Sequence, residues 1–457
     1  MAALTDQHDQ ATPLMAICAS DYPRWLDAAP AGDRRWLKQT GFAAKPDAFT
    51  FLPAGDGTPS CVLGILDDLA APVWTLAGLA GALPPGRYAL AEPLQDRQAT
   101  SAALGWALAA YDFDRYRARS RPPAELVWPA GADRAEVGRI AGSVGLARDL
   151  INTPAEDMGP SELCAAAIDL ARGYGAQARI ITGDQLLAEN YPMVHAVGRA
   201  STRPPCLIDL RWGPEDAPRL TLVGKGVCFD SGGLDLKAPE AMAGMHRDMG
   251  GAAVVLGLGQ AIMSADLPVR LRILIPAVDN AVSGAAYRPL DVFRARSGRT
   301  VEIGDTDAEG RLILCDALAE AGREQPDLLI DCATLTGAAR IALGPEVQAM
   351  FCDDDGLAAD LASAANAVDD PLWRLPIWRP YRRLLDSKVA DLNSLAKTPH
   401  GGAVSAAVFL AEFVPEATPW IHLDINAANA EARPGRPKGG EATGLRALYA
   451  LLRARYA

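Results

Sequence analysis

The chain has 457 residues, of which 49% are hydrophobic and 22% charged, and it carries a formal net charge of -12 at pH 7. This balance fits a globular protein of two domains and excludes a disordered or fibrous chain. The negative charge argues against a nucleic-acid backbone as the main partner, because non-specific binding needs a basic face.

The first residues, Met1-Ala-Ala-Leu-Thr-Asp-Gln-His-Asp-Gln10, lack the basic region and apolar run of a secretory signal. No uninterrupted apolar stretch reaches membrane-spanning length, so a cytoplasmic protein without a membrane partner is expected. Strand-like runs at Phe49–Leu52 and Cys61–Leu66 and a helical run at Thr100–Tyr111 predict a small N-terminal α/β domain over residues 1–125. Prolines and glycine punctuate Arg119-Ser-Arg-Pro-Pro-Ala124 and Trp128-Pro-Ala-Gly131, which reads as a linker around 119–131. A larger domain over 126–457 is expected to follow.

That domain opens with a predicted helix from Arg134 to Ile151, stopped by Asn152-Thr-Pro154, and a second from Glu162 to Tyr174 with Ser161 as N-cap. Strands are then expected at Arg179–Thr182, Leu207–Trp212, Arg219–Val223, Arg270–Ile275 and Asp327–Asp331. Helices are expected at Ala252–Ser264 and Arg311–Arg323. The alternation implies an α/β/α domain whose mixed, largely parallel sheet is covered on both faces. A further strand, Trp420–Ile425, precedes a Pro/Gly-rich stretch and a final helix from about Thr443.

Eight scattered cysteines with no Cys-x-x-Cys spacing read as buried reduced thiols. None of the five histidines has metal-ligand spacing, so any metal site must be rich in carboxylates. Two segments offer such carboxylates. One runs from Leu220-Thr-Leu-Val-Gly224-Lys225 through Asp230-Ser-Gly-Gly233 and Lys237 to Met245-His-Arg-Asp248; the other is Asp305-Thr-Asp307-Ala-Glu309-Gly-Arg311. Taken singly, a glycine-flanked Asp is an ordinary turn residue. Together, Asp230, Asp248, Asp307 and Glu309 stand among glycines and apolar residues, where like charges repel and water is scarce. A divalent cation would relieve that repulsion. The Lys225 to Asp230 loop follows one apolar strand and Thr334-Leu-Thr-Gly337 another, Leu328-Leu-Ile-Asp-Cys332, at the strand ends where open α/β sheets bind ligands, and Asp307-Ala-Glu309-Gly-Arg311 reads as a strand-to-helix loop.

Gly224-Lys-Gly226 through Asp230-Ser-Gly-Gly233, Lys237, Asp248-Met-Gly-Gly-Ala252, Thr306-Asp-Ala-Glu-Gly-Arg-Leu312 and Ala333-Thr-Leu-Thr-Gly-Ala338 resemble the signatures of the leucyl (cytosol) aminopeptidase family. The resemblance covers about the last two thirds of the chain. It implies a dinuclear-metal aminopeptidase acting on peptides and aminoacyl amides, with manganese, zinc or cobalt, assembled as a hexamer of two stacked trimers. Asp230 and Glu309 would bridge both ions, Lys225 and Asp248 complete one, and Asp307 the other. Such a pair of ions, about 3.5–4 Å apart, polarises a carbonyl and activates water. Only a free N-terminal amine could reach the first ion, which makes the implied enzyme an exopeptidase.

The resemblance makes Lys237 a cation for the developing oxyanion and Arg311 the holder of a bicarbonate that acts as base. Met245 and Thr334 match positions lining the pocket for the first side chain, and Leu335 one whose backbone holds the substrate. Met suits a broad apolar preference. Each residue also has a plainer reading: a phosphate-loop lysine without its full motif for Lys225, a solvated surface lysine for Lys237, a helix-start arginine paired with Asp307 or Glu309 for Arg311, and a core residue for Met245. Two alternatives to a broad aminopeptidase are a narrow dipeptidase acting on, for example, Cys-Gly, and a DNA-binding regulatory protein of the same family. The second would need more than the one basic run, Arg115-Tyr-Arg-Ala-Arg119. Two positions depart from the family pattern. Asp305 stands where Asn is usual, and Asp424-Ile-Asn-Ala-Ala-Asn429 stands where many relatives carry Gly-Thr-Ala, which puts pocket shape and substrate range in question.

Overall fold

The structure, a computed structural model, describes residues 3–55, 58–69 and 71–457. The chain forms two compact units, one of residues 1–145 with 431–438 and one of residues 146–430 with 439–457. The first unit holds β1 (Leu4–Thr5), β2 (Thr12–Cys18), β3 (Phe49–Pro53), β4 (Pro59–Leu66), β5 (Gly86–Leu90) and β6 (Ala124–Val127). They form one sheet in the order β1-β6-β5-β2-β4-β3, parallel except for β3 against β4. The predicted strands and helix of this region are present, the helix spanning Asp96–Ala109. The proline-rich segment expected as a linker differs: it contains β6, whose alternate side chains Ala124 and Leu126 are buried in this unit's core. Prolines flank that strand without entering it, so they mark its ends and not a domain joint.

The second unit contains β7 (Gln177–Thr182), β8 (Cys206–Trp212), β9 (Arg219–Gly224), β10 (Gly226–Asp230), β11 (Arg270–Asn280), β12 (Val292–Arg294), β13 (Thr300–Glu302), β14 (Leu328–Ala333), β15 (Gln348–Phe351), β16 (Leu372–Arg374), β17 (Leu392–Asn393) and β18 (Trp420–Asp424). The main sheet runs β16-β15-β18-β14-β9-β11-β8-β7, with β10 continuing alongside β11. β18, β14, β9, β10 and β11 lie parallel, whereas β8 against β11, β7 against β8 and β15 against β18 are antiparallel. The sheet is therefore mixed and parallel at its centre, as the alternating pattern implies. Parallel central strands must be apolar on both sides, and Leu222, Val223, Ile273, Leu274, Leu329 and Ile330 are fully buried.

Helices Gly250–Ser264 and Glu309–Arg323 pack on this centre, almost every residue of the first being buried. One cap expectation fails. The helix begins at Pro160, one residue before Ser161, and Gly159 is its N-cap, its amide donating to Glu162 at 3.0 Å. Pro is preorganised for a first helical position, which moves the start upstream of Ser161. The eight cysteines are free, and six of them are buried. No helix among the described residues is long and apolar enough to cross a membrane.

Candidate active site

β9 and β14 end side by side, with Gly224 opposite Cys332, and β10 leads on from there to Asp230; the second acidic segment lies between β13, in a separate three-stranded sheet, and helix Glu309–Arg323. Lys225 occupies the single residue between β9 and β10. Its amide donates to Cys332 on β14 at 3.0 Å, and its carbonyl accepts from Ala252 at the head of a helix at 2.9 Å. The lysine backbone is thus pinned between sheet and helix. Its side chain, 3% exposed, needs a channel, and Gly310 provides one: a Cβ there would stand 2.6 Å from Lys225 Cε. Gly232 and Gly233 take φ values of 87° and 67°, which turn the chain sharply after Asp230.

Lys225 Nζ lies 2.8 Å from both Asp248 Oδ2 and Glu309 Oε1, and 2.9 Å from the Thr334 carbonyl. Lys237 Nζ lies 2.8 Å from Asp230 Oδ2 and also pairs with Asp307. Asp230, Asp307 and Glu309 bring their oxygens within 4.8 Å of one another. All five residues expected as ligands, with Lys237, therefore form one cluster. Asp230 Oδ1 accepts from the Gly232 amide and from Asn280 Nδ2, each at 2.8 Å. Asp248 Oδ1 accepts from the Thr334 hydroxyl at 2.8 Å.

Four carboxylates face two ammonium groups, and the excess negative charge shapes the site's protonation. Burial, and then repulsion from Asp230, pushes the Asp307 carboxyl up to about 7. Burial and neighbouring carboxylates also raise Glu309 and Asp248. Burial opposes the charged form of Lys225, but Asp248, Glu309 and Asp230 outweigh it and raise its pKa. Glu309 Oε2 is buried with no hydrogen-bond partner. A buried carboxylate oxygen left unpaired beside raised carboxyl groups is a donor suited to a divalent cation. The donor set of one amine and four carboxylates fits such ions.

Arg311, third residue of helix Glu309–Arg323, is buried, and its only hydrogen bond among the described residues runs from Nη1 to the Ser394 carbonyl, at 2.9 Å. Its Nε has no partner, and it forms no ion pair among the described residues, unlike the plainer reading of a helix-start arginine paired with Asp307 or Glu309. Lys237 likewise is no solvated surface lysine, being 12% exposed between two carboxylates. Met245 lies three residues before Asp248 on a short 3-10 turn. The Leu335 amide is held by Asp424 Oδ1 at 3.0 Å.

Sequence reasoning missed several supports. Asn280, at the end of β11, donates to Asp230 and also to the Thr306 carbonyl, at 3.0 Å. Tyr287 donates to the same carbonyl at 2.7 Å, and Asp235 accepts from the Thr306 amide at 2.8 Å. The polar Asp279-Asn280 pair that closes the apolar strand β11 is the one sequence signal that could have found Asn280. Tyr287 and Asp235 carry no such signal. Asp305 Oδ1 accepts from the Asp307 amide at 2.8 Å, the Asx-turn geometry that Asp and Asn share.

An α/β unit with a mixed sheet, parallel at its centre, and this cluster of lysines and carboxylates defines a hydrolase of the peptidase class. The chain belongs to the cytosol aminopeptidase family: its residues 145–449 match that family's catalytic domain and residues 12–129 match the M17 aminopeptidase N-terminal domain. It is 47% identical to the crystallised cytosol aminopeptidase from Coxiella burnetii, with a TM-score of 0.94 over 99% of both chains. A probable cytosol aminopeptidase from Syntrophotalea carbinolica is 42% identical over 366 residues, 76% of this chain and 73% of that protein. The bottromycin maturation enzyme BotP, solved in complex with Mn, is 34% identical over 97% of this chain and 99% of its own, with a TM-score of 0.86.

Proposed function

We propose that the protein is a dinuclear metalloaminopeptidase that releases N-terminal residues from peptides and aminoacyl amides. The observation that carries this reading is the convergence of Lys225, Asp230, Asp248, Asp307 and Glu309, with the unpaired Glu309 Oε2 among them. Two divalent ions, manganese, zinc or cobalt, would be held by these five residues and would supply polarisation of the scissile carbonyl and activation of water. Lys237 stands beside Asp230 and Asp307 as a fixed cation, placed to stabilise an oxyanion developing there. Arg311 offers its unpaired Nε to an anion, and bicarbonate in that place would accept a proton. Met245 and Thr334 would line the pocket for the first side chain, with Leu335 holding the substrate backbone. The residues would act in a cytoplasmic homohexamer.

The test is metal analysis of the purified protein alongside hydrolysis of leucyl anilide, for the native chain and Glu309→Ala. About two metals per chain with activity, both lost in the folded variant, are expected. A Glu309→Ala protein that keeps full metal and full activity overturns the assignment.

A further inference from the structure

Beside the candidate site lies a second group of polar side chains to which neither the catalytic reading nor the comparisons give a role. Arg247 follows Met245 and precedes Asp248, and its Nη1 donates to Asn426 twice, to the carbonyl at 2.6 Å and to Oδ1 at 2.8 Å. Arg340 approaches the same Oδ1 from the short helix Gly337–Leu343, at 3.4 Å. Both cations thus reach one amide oxygen, Asn426 Oδ1. Like charges are brought together here with a neutral amide between them. Neither guanidinium forms an ion pair among the described residues, although most of the other buried or half-buried arginines of this unit do, Arg203 with Asp279 and Arg272 with Asp209 among them.

The position of the group relates it to substrate. Asn426 lies two residues beyond Asp424, which holds the Leu335 and Thr336 amides. A Cβ placed on Gly250 would meet Ala427 Cβ at 2.3 Å and Thr334 Cγ2 at 3.3 Å, so Ala427 and Thr334 both border Gly250. Arg247 is flanked in sequence by Met245 and by Asp248, whose carbonyl accepts from the Thr334 hydroxyl at 3.0 Å. Asn426 is anchored by its own amide, which donates to Gln348 Oε1 at 2.7 Å, and by Nδ2, which donates to the Ala428 carbonyl at 2.8 Å. The amide therefore orients the guanidinium of Arg247 without neutralising it.

We propose that Arg247 and Arg340, aligned by Asn426, form a subsite that binds a carboxylate of the peptide substrate. The inference rests on the aminopeptidase reading and sharpens it from a general apolar preference to a class of acidic substrates. Two sources share this chemistry, the side chain of an N-terminal Glu or Asp and the C-terminus of a dipeptide. The flanking by Met245 and Thr334 favours the side chain of the first residue.

The experiment uses the metal-loaded full chain and compares kcat/KM for glutamyl, aspartyl and leucyl anilides, and for Leu-Gly against Leu-Gly amide. Arg247→Gln, Arg247→Lys and Arg340→Gln are measured beside the native protein. Arg340 is exposed, so its variant reports even if Arg247→Gln fails to fold. A glutamyl-to-leucyl ratio that falls about tenfold or more in the Gln variants, mainly through KM, and is partly kept in Arg247→Lys supports the side-chain source. A fall confined to the Leu-Gly to Leu-Gly amide ratio supports the C-terminal source. Equal losses on every substrate, leaving both ratios unmoved, reduce the pair to a loop clamp and overturn the subsite. A native protein with no activity on leucyl anilide would instead defeat the aminopeptidase reading on which it rests.

Discussion

Asp305→Asn and Asp305→Ala should separate cleanly, because the structure uses an oxygen at this position and not a charge. Asp305 Oδ1 accepts the Asp307 amide at 2.8 Å, which sets the conformation of a candidate ligand. Burial, and then the Asp235 carboxylate, raise the Asp305 pKa, although the Asp307 amide works the other way. Asn keeps the accepting oxygen and removes the repulsion from Asp235. Ala leaves the Asp307 amide without its acceptor, at a cost of about 1.5–3 kcal/mol for a hydrogen bond to a charged group. Not all of this reaches the loop, since Thr306 remains held through Asp235, Asn280 and Tyr287. If the loss falls on positioning Asp307, at about 1.4 kcal/mol per tenfold, Asp305→Ala lowers kcat/KM by about 10- to 100-fold. Asp305→Asn stays within about tenfold of the native rate. The assay is kcat/KM on leucyl anilide with metal content and melting temperature measured on the same preparations. An Asn variant as impaired as the Ala variant, or one that exchanges its metal, would make Asp305 a site carboxylate and refute the turn argument.

Lys237→Met should slow turnover by about 10²–10³ while metal content holds, the usual loss for an oxyanion donor; metal and activity falling in parallel would make Lys237 a holder of Asp230 and Asp307 instead. Arg311→Ala should lose rate and regain part of it on addition of bicarbonate, and a rate indifferent to bicarbonate at every concentration would count against an anion role. His422 carries the pH prediction. Burial disfavours its imidazolium, but Asp331, 2.6 Å from Nδ1, outweighs that and raises its pKa. The folded chain therefore binds this proton more tightly than the unfolded one. Its stabilisation is complete below the ordinary histidine value of about 6.5 and is lost as pH rises through the raised folded value. Melting curves of the native protein should fall across that window and those of His422→Gln should be flatter; parallel curves would disprove the linkage.

The central strands were legible in the sequence because parallel strands buried on both faces leave unbroken apolar runs such as Leu220–Val223 and Leu328–Ile330, and because glycines and carboxylates crowd their ends. The ends of elements were less so. β11 runs to Asn280, five residues past the expected Ile275, because Pro276 sits inside it. Proline marks a strand's end only where its missing amide would have been needed, and partners on both sides decide that. The same limit hid β6 among prolines. The candidate metal cluster could be seen in advance because its chemistry is written in residue type: four acids and two lysines in two segments. Its supports could not, since Asn280, Tyr287 and Asp235 act through hydrogen bonds to the Asp230 and Thr306 segments that only the folded register provides.

The Arg247 group shows why the distinction matters for function. Arg247, Arg340 and Asn426 are separated by 93 and 86 residues, and any one of them reads as an ordinary surface or loop residue. They meet because β14 and β18 are adjacent and parallel, so that the loops after both strands open on one edge, where helix Gly250–Ser264 also begins. A site held by charged residue types at short spacing is visible in a linear motif; one assembled from the ends of neighbouring strands is a property of topology. The candidate metal cluster is of the first kind and the proposed carboxylate subsite of the second. Two chains with the same metal ligands can therefore differ in which peptides they cleave through substitutions as far apart in sequence as 247, 340 and 426.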